Sequence, residues 1–423
     1  MMTKTKKHIY WAIYVVLYCS VIQRYIWESQ FCQLIPDVII LFLCIFEKGL
    51  TNSRAKKNNV VPLLGRWIPR MLILFLVVGL FSDAINLVKP TAVIWGVRMV
   101  FRYSLLFLLI IKNFDESDLF RLRKVLDYSF YTNTVLVFLQ FFMGVTGDSM
   151  GGIWGGNGEL STYIICMTFL YSGDYFNKRM KFYRYTLSLV LLFTAAIWGE
   201  IKMLYFIIPL CVYGSYVLFK KFSFSHVIVL AVAWVVAIPV LTGVLSLYYD
   251  EDYVAQTLNR EELEAYNTNN YGFTEVSLNR GTIFEKSVIF LNSPIEYAVG
   301  HGLGSGNVSS FFRTDVFETY KRTCYGFFTM SYLLIEVGYV GLVLFILVHV
   351  LLLYRFWMFY LMKDKVVKYW AAMGMLVTGA TFLIIYYNSI PLTSYYLGYL
   401  FWAMCFLGIR ERIKRLNQEK NRG

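Results

Sequence analysis

Arg98 and Arg102 stand four residues apart inside an otherwise apolar run from Ala92 to Ile111. At that spacing both side chains leave the same face of a helix. A guanidinium placed in hydrocarbon is costly enough that it faces a cavity or an ion-pair partner. Asp37 and Glu336, acids set in other apolar runs, are the expected partners. A second feature is the run Gly300-His301-Gly302-Leu303-Gly304-Ser305-Gly306. Its glycines permit positive φ and let backbone N–H groups close around an anion, as in an oxyanion or phosphate nest. No Lys-Ser/Thr follows it and no strand–helix unit surrounds it, so it does not have the form of a nucleotide loop. Two more cations, Lys202 in Gly199-Glu200-Ile201-Lys202 and Arg280 in Leu278-Asn279-Arg280-Gly281, stand apart from the main basic clusters.

The elements that must carry these residues are membrane helices. Of 423 residues, 58% are hydrophobic, 18% aromatic and only 16% charged, whereas a soluble domain is about 25% charged. Disorder and a disulfide-built scaffold are excluded, the latter because seven Cys are scattered along the whole chain. A helix needs roughly 20 mostly apolar residues to cross a bilayer. The chain offers twelve such runs, near 9–23, 31–46, 68–87, 92–111, 129–146, 159–173, 185–199, 203–219, 226–247, 328–350, 369–387 and 393–409. The expectation is an all-α polytopic membrane protein of about 12 transmembrane helices. The first run, preceded by Lys4, Lys6 and Lys7, has no small-residue cleavage site after it and is expected to stay as a signal anchor.

The net charge of +13 raises nucleic acid as a partner, but the cations are not arranged for it. With the N-terminus inside and the spans alternating, 29 of the 40 Lys and Arg fall in inner segments. That is the positive-inside bias, which places both termini in the cytoplasm. The basic tail 410–423 directly follows a span and is expected to anchor on anionic membrane lipid. The chain then divides into an N-terminal bundle (1–247), a large extracytoplasmic loop (248–327), C-terminal spans (328–409) and the tail (410–423). The loop is rich in acids, and helices are expected over 261–266 and 282–291, the second ended by Ser293-Pro294. Loops of this length are uncommon unless functional.

In order along the chain, four outer features carry a resemblance: Gly151-Gly152-Ile153-Trp154-Gly155-Gly156-Asn157-Gly158-Glu159; Gly199-Glu200-Ile201-Lys202; Arg280 followed by a helix, Asn-Ser-Pro and the Gly-x-Gly-x-Gly run; and Ser331-Tyr332 with Glu336-Val337-Gly338-Tyr339-Val340-Gly341. Together they resemble the O-antigen polymerase/ligase superfamily, membrane glycosyltransferases of the Wzy and O-antigen ligase type. The resemblance implies a GT-C-like helical fold in a bacterial inner membrane. It further implies inverting transfer of glycan from a polyprenyl-diphosphate carrier to an acceptor sugar on the outer face, without metal, nucleotide or other cofactor. Ligases of the superfamily place a His just before the span after the large loop. Here Cys324-Tyr325-Gly326-Phe327-Phe328 stands there, which favours a polymerase of repeat units. The implied partners are lipid-linked oligosaccharide, a chain-length regulator and a flippase.

Such a reaction must hold a diphosphate and relieve an acceptor hydroxyl of its proton. Arginine forks suit phosphate oxygens, so Arg280, Arg98, Arg102 and Lys202 are the diphosphate candidates, with Gly300, Gly302 and Gly304 supplying loop backbone. A base must lie within hydrogen-bond reach of the acceptor; Glu159, Glu200 and His301 are the candidates and the sequence leaves the choice open. Rings such as Trp154, Tyr271, Tyr325, Tyr332, Tyr395 and Tyr396 are available to stack on sugars. The four His have no metal-ligand spacing, so no metal is expected. A flippase or transporter is the alternative class, but no internal repeat accompanies the asymmetric outer loop.

Overall fold

The structure, a computed structural model, describes residues 3–52, 55, 56, 58, 60–220, 228, 238–268, 277–309 and 312–421. It is mostly helical, at 79%. The long helices in chain order are α1 (Lys4–Tyr25), α2 (Ile35–Ile45), α3 (Trp67–Ile85), α4 (Pro90–Asn113), α5 (Glu116–Phe142), α6 (Asn157–Phe176), α7 (Phe182–Trp198) and α8 (Lys202–Phe219). They continue as α9 (Glu251–Leu258), α10 (Arg260–Thr268), α11 (Thr329–Tyr360), α12 (Lys365–Tyr387) and α13 (Tyr396–Lys420). Of the expected ninth span, 226–247, half lies outside the described residues, and 238–245 is helical.

Among the described residues five helices are long and apolar enough to cross a membrane: α3, α4, α8, α11 and α12. The face that α3 turns outward supports the same reading. Ile73, Val77 and Phe81, at i, i+4 and i+8, are each more than half exposed, while Ser82 and Asp83 are buried. An apolar stripe outside with polar groups inside inverts the pattern of a water-soluble helix.

Helices α5 and α13 depart from the expected boundaries, as does α11, which runs on to Tyr360 past the expected end at 350. α5 begins at Glu116 rather than near 129, because a reciprocal cap stops its first turn from fraying. The Asp115 side chain accepts from Ser117, and the Asp118 side chain accepts from the Asp115 N–H at 3.0 Å. Its charged first three turns contain no apolar run. α13 runs unbroken through the expected boundary at 409, so the first part of the basic tail continues the helix. Arg410 is buried and donates to the carbonyls of Ile111 and Phe114, Arg412 binds Asp364 at 2.9 Å, and Lys414 reaches Asn58 at 2.9 Å. Partners inside the chain satisfy these cations.

The core has two clusters. The larger joins α1 and α4–α8 to α12 and α13. The smaller joins α3, α4 and α11 to Leu278, Ile283, Phe290, Leu291 and Leu303 of the segment 277–309. The expected loop domain is therefore packed into the bundle. Its short helices include Ile283–Lys286, continued as a 3₁₀ turn Ser287–Phe290, and a new one at Pro294–Val299 beyond Ser293. A two-residue hairpin pairs Val308 with Arg313 and Ser309 with Phe312.

Candidate functional site

Arg98 and Arg102 do share a face of α4, and the acid they meet is Asp37 in the first turn of α2. Arg98 Nε and Nη2 both lie 2.6 Å from Asp37 Oδ2, and Arg102 Nη1 lies 3.4 Å from the same oxygen. The Tyr396 hydroxyl donates to the other carboxylate oxygen. Arg102 Nη2 reaches Tyr103 Oη at 2.6 Å and the Thr393 carbonyl, while Tyr103 Oη donates to Leu392 O at 2.9 Å. One carboxylate thus serves two guanidiniums, and one positive charge is left over by formal count. The Arg98 guanidinium also sits 4.3 Å above the Trp95 ring, a cation–π contact that keeps its orientation while part of it stays open.

The face so built opens into a cavity of about 370 Å³. Arg98 and Arg102 line it with Lys321, and the rings of Trp95, Tyr325, Tyr332 and Phe327 supply apolar walls. Sequence reasoning missed Lys321 and Trp95. The signal for Lys321 was present, since Lys321-Arg322 is a basic pair in an acidic segment just before α11. Lys321 also pairs with Glu318 on the exposed rim.

The glycine run adopts the expected left-handed backbone, with φ of 70° at Gly300, 106° at Gly302 and 81° at Gly304. Its donors, however, are not open to an outside anion. Gly300 N–H goes to Glu296 O at 2.8 Å, His301 N–H to Ile335 O at 2.8 Å and Gly302 N–H to Glu336 O at 2.8 Å. Gly306 N–H and the Asn307 amide reach Glu336 Oε1 at 3.3 and 2.7 Å. The acceptor in this nest is the chain's own Glu336 carboxyl. Its carbonyl and that of Ile335 are free to accept because Gly338 breaks α11 with φ 60° and ψ −166°. Backbone freed inside a bilayer must be satisfied by protein, and the glycine run does so. Gly304 lies against α4 so closely that a Cβ there would stand 1.9 Å from Ala92 O. Glu336 is consequently not a partner of either arginine.

His301 is also turned to structural use. Its Nε2 donates to Phe290 O at 2.7 Å, and the ring does not line the arginine cavity. Glu159 stands differently. It lies in the first turn of α6, hydrogen-bonded to Ser394, the neighbour of the Thr393 that holds Arg102. It lines a second cavity of about 590 Å³ with Arg24 and Gln33, and Gln33 lines the first cavity too. The two cavities therefore meet at one side chain.

Glu200 and Lys202 sit at the α7–α8 turn, where Glu200 has φ 53°. Burial and then the nearby Asp148 push the Glu200 carboxyl above its ordinary range, against the opposing pull of Lys202. Lys202 Nζ lies 4.4 Å above the Tyr253 ring and 3.3 Å from Gln256 Oε1. Arg280 lies 4.2 Å above the Tyr387 ring. The four diphosphate candidates are thus divided: Arg98 and Arg102 line the cavity, whereas Lys202 and Arg280 do not. Of the candidate stacking rings, Tyr325 and Tyr332 line it, Tyr396 is spent on Asp37, Trp154 and Tyr395 are buried in the core, and Tyr271 lies outside the described residues. Cys32 and Cys324 are both free thiols.

No family model matches the chain, and neither does any curated protein or solved structure.

Proposed function

We propose that the protein is a membrane glycosyltransferase that polymerises lipid-linked oligosaccharide repeat units on the outer face of a bacterial inner membrane. In this reading about 12 helices cross the bilayer, both termini are cytoplasmic and the cavity faces outward. The observation that carries it is the cavity in which Arg98, Arg102 and Lys321 converge among aromatic walls, beside a second cavity bearing Glu159. Two guanidiniums that share one carboxylate suit a diphosphate, and rings on the cavity wall suit sugar faces.

The chemistry then divides between the two cavities. The acceptor hydroxyl oxygen attacks the anomeric carbon of the lipid-linked chain, and the bond from that carbon to the diphosphate oxygen breaks. The electron pair leaves with the polyprenyl diphosphate, whose growing charge Arg98, Arg102 and Lys321 neutralise. The acceptor proton passes to the Glu159 carboxylate. Attack from the face opposite the leaving group inverts the anomeric configuration. Asp37 and Tyr396 touch no substrate in this scheme and serve to aim the guanidiniums.

Reconstitution with a synthetic polyprenyl-diphosphate repeat unit tests the proposal. A ladder of products one repeat apart is expected. Movement of intact substrate across the bilayer without new product would instead identify a flippase and overturn it.

A further inference from the structure

At the opposite end of the bundle from the arginine cavity, where basic residues collect, α1 and α5 enclose a groove of about 620 Å³. Lys7, Arg121 and Lys124 line it with Trp11, Tyr14 and Tyr128, and no carboxylate does. The absence is notable because Asp115 and Asp118 stand within a turn or two. Both are drawn away by the buried Lys6, whose Nζ is 2.6 Å from Asp115 Oδ2 and closer still to Asp118. Asp118 is fully buried and also accepts from Tyr10 Oη, at 3.3 Å. That same oxygen, Oδ1, lies 3.6 Å from Arg121, an ion pair whose arginine stays half exposed. Lys6 thus turns the corner's negative charge inward, and the groove wall is left cationic.

The apolar part of the groove points the same way. Trp11 is 67% exposed and Tyr128 62%, rings with an apolar body and a polar tip, of the kind that lies at the headgroup level of a bilayer. Cations over one end of a groove and uncovered rings along the rest match a phosphate joined to acyl chains. We infer that this groove between α1 and α5 holds one anionic phospholipid of the leaflet at the basic end of the bundle, with Lys7, Arg121 and Lys124 on its phosphate and Trp11, Tyr14 and Tyr128 on its glycerol and upper chains. Basic pockets between helices recognise lipid head groups by this combination of charge and apolar contact. The site is independent of the glycan reading, since it shares no residue with the cavities that reading uses.

Native mass spectrometry of the full chain in detergent, titrated with phosphatidylglycerol or with phosphatidylcholine, tests the inference. The wild type is expected to retain phosphatidylglycerol selectively. Lys7→Gln/Lys124→Gln is expected to weaken that retention roughly thirtyfold, each surface cation contributing a few-fold. Trp11→Ala is expected to weaken retention of both lipids. Unchanged selectivity in the double variant, with unchanged thermal unfolding, would overturn the site. Competition by inorganic phosphate at equal concentration would show a free-anion site and would also overturn it.

Discussion

Asp37 and Arg98 are joined by two contacts of 2.6 Å to a single carboxylate oxygen, and Arg102 reaches that same oxygen at 3.4 Å. Crowding both guanidiniums onto one atom leaves Asp37 Oδ1 to a neutral donor, Tyr396 Oη. The acid is therefore too weak a counter-charge to cancel the pair, and strong enough to fix where both point. A site that must bind an anion needs that balance: a second carboxylate would fill the cavity electrically, and none at all would leave both guanidiniums uncompensated.

Removing the acid tests the first half of this. Asp37→Asn is expected to destabilise the protein by about 3–5 kcal/mol, because the buried Arg102 and the partly exposed Arg98 then lack their partner. Thermal unfolding in detergent reads the change. Asp37→Asn with wild-type stability would show that solvent or lipid, not Asp37, compensates the arginines.

Arg98→Ala, Arg102→Ala and Lys321→Ala are each expected to lower repeat-unit polymerisation by about 100-fold, the usual size of losing one charge-stabilising donor. Arg98→Lys is expected to recover little, since a point charge cannot reproduce the fork over Trp95. Lys202→Ala and Arg280→Ala, which lie outside the cavity, are expected to retain more activity than these three. Normal-length product from both Arg98→Ala and Lys321→Ala would remove the assigned role.

For the proton, Glu159→Gln is expected to reduce turnover by about 100-fold to 10,000-fold with little change in substrate binding. Separating turnover from KM distinguishes this from a packing defect. Comparable turnover in Glu159→Gln and the wild type would shift the role to another group.

Glu200 makes a pH prediction. Its carboxyl is raised by burial and by Asp148, so the folded state holds the proton more tightly than the unfolded chain does. Stability from this group is then greatest below the ordinary glutamate value of about 4.3, declines as pH rises through the raised folded value, and levels off above it. Glu200→Gln is expected to flatten that decline. Parallel unfolding curves for the variant and wild type across the window would contradict it.

Gly304→Ala probes the seat of the glycine run. A Cβ would meet the Ala92 carbonyl oxygen at 1.9 Å on a backbone already at φ 81°. A cost of about 2–3 kcal/mol is expected from clash and left-handed strain together. Because the run satisfies Glu336 and the break in α11, activity should fall with stability. Full activity in Gly304→Ala would show that the run tolerates displacement from α4.

Much of this was legible from residue type and spacing. The apolar runs mark a mostly helical chain with helices able to cross a membrane, because hydrocarbon thickness acts on composition directly. The four-residue interval of Arg98 and Arg102 placed them on one face of α4, and the glycines required positive φ where the structure has it. Helix starts hidden by charge were not legible. Nothing in apolar content reveals that Asp115 and Asp118 cap α5, or that Arg410 would donate to the carbonyls of Ile111 and Phe114.

Partnership was decided only by the fold. Asp37 and Glu336 were equivalent as candidate acids, and the packing of α2 against α4 gave the arginines to the first. The break at Gly338 gave Glu336 to the glycine run. The same packing brought Lys321 and Trp95, more than 200 residues apart, to one cavity and left Arg280 and Lys202 outside it. Local sequence sets what a residue can do, since helix period and charge act over a few residues. Which groups meet depends on side chains approaching within a few ångströms from distant segments, and that is a property of the packed bundle alone.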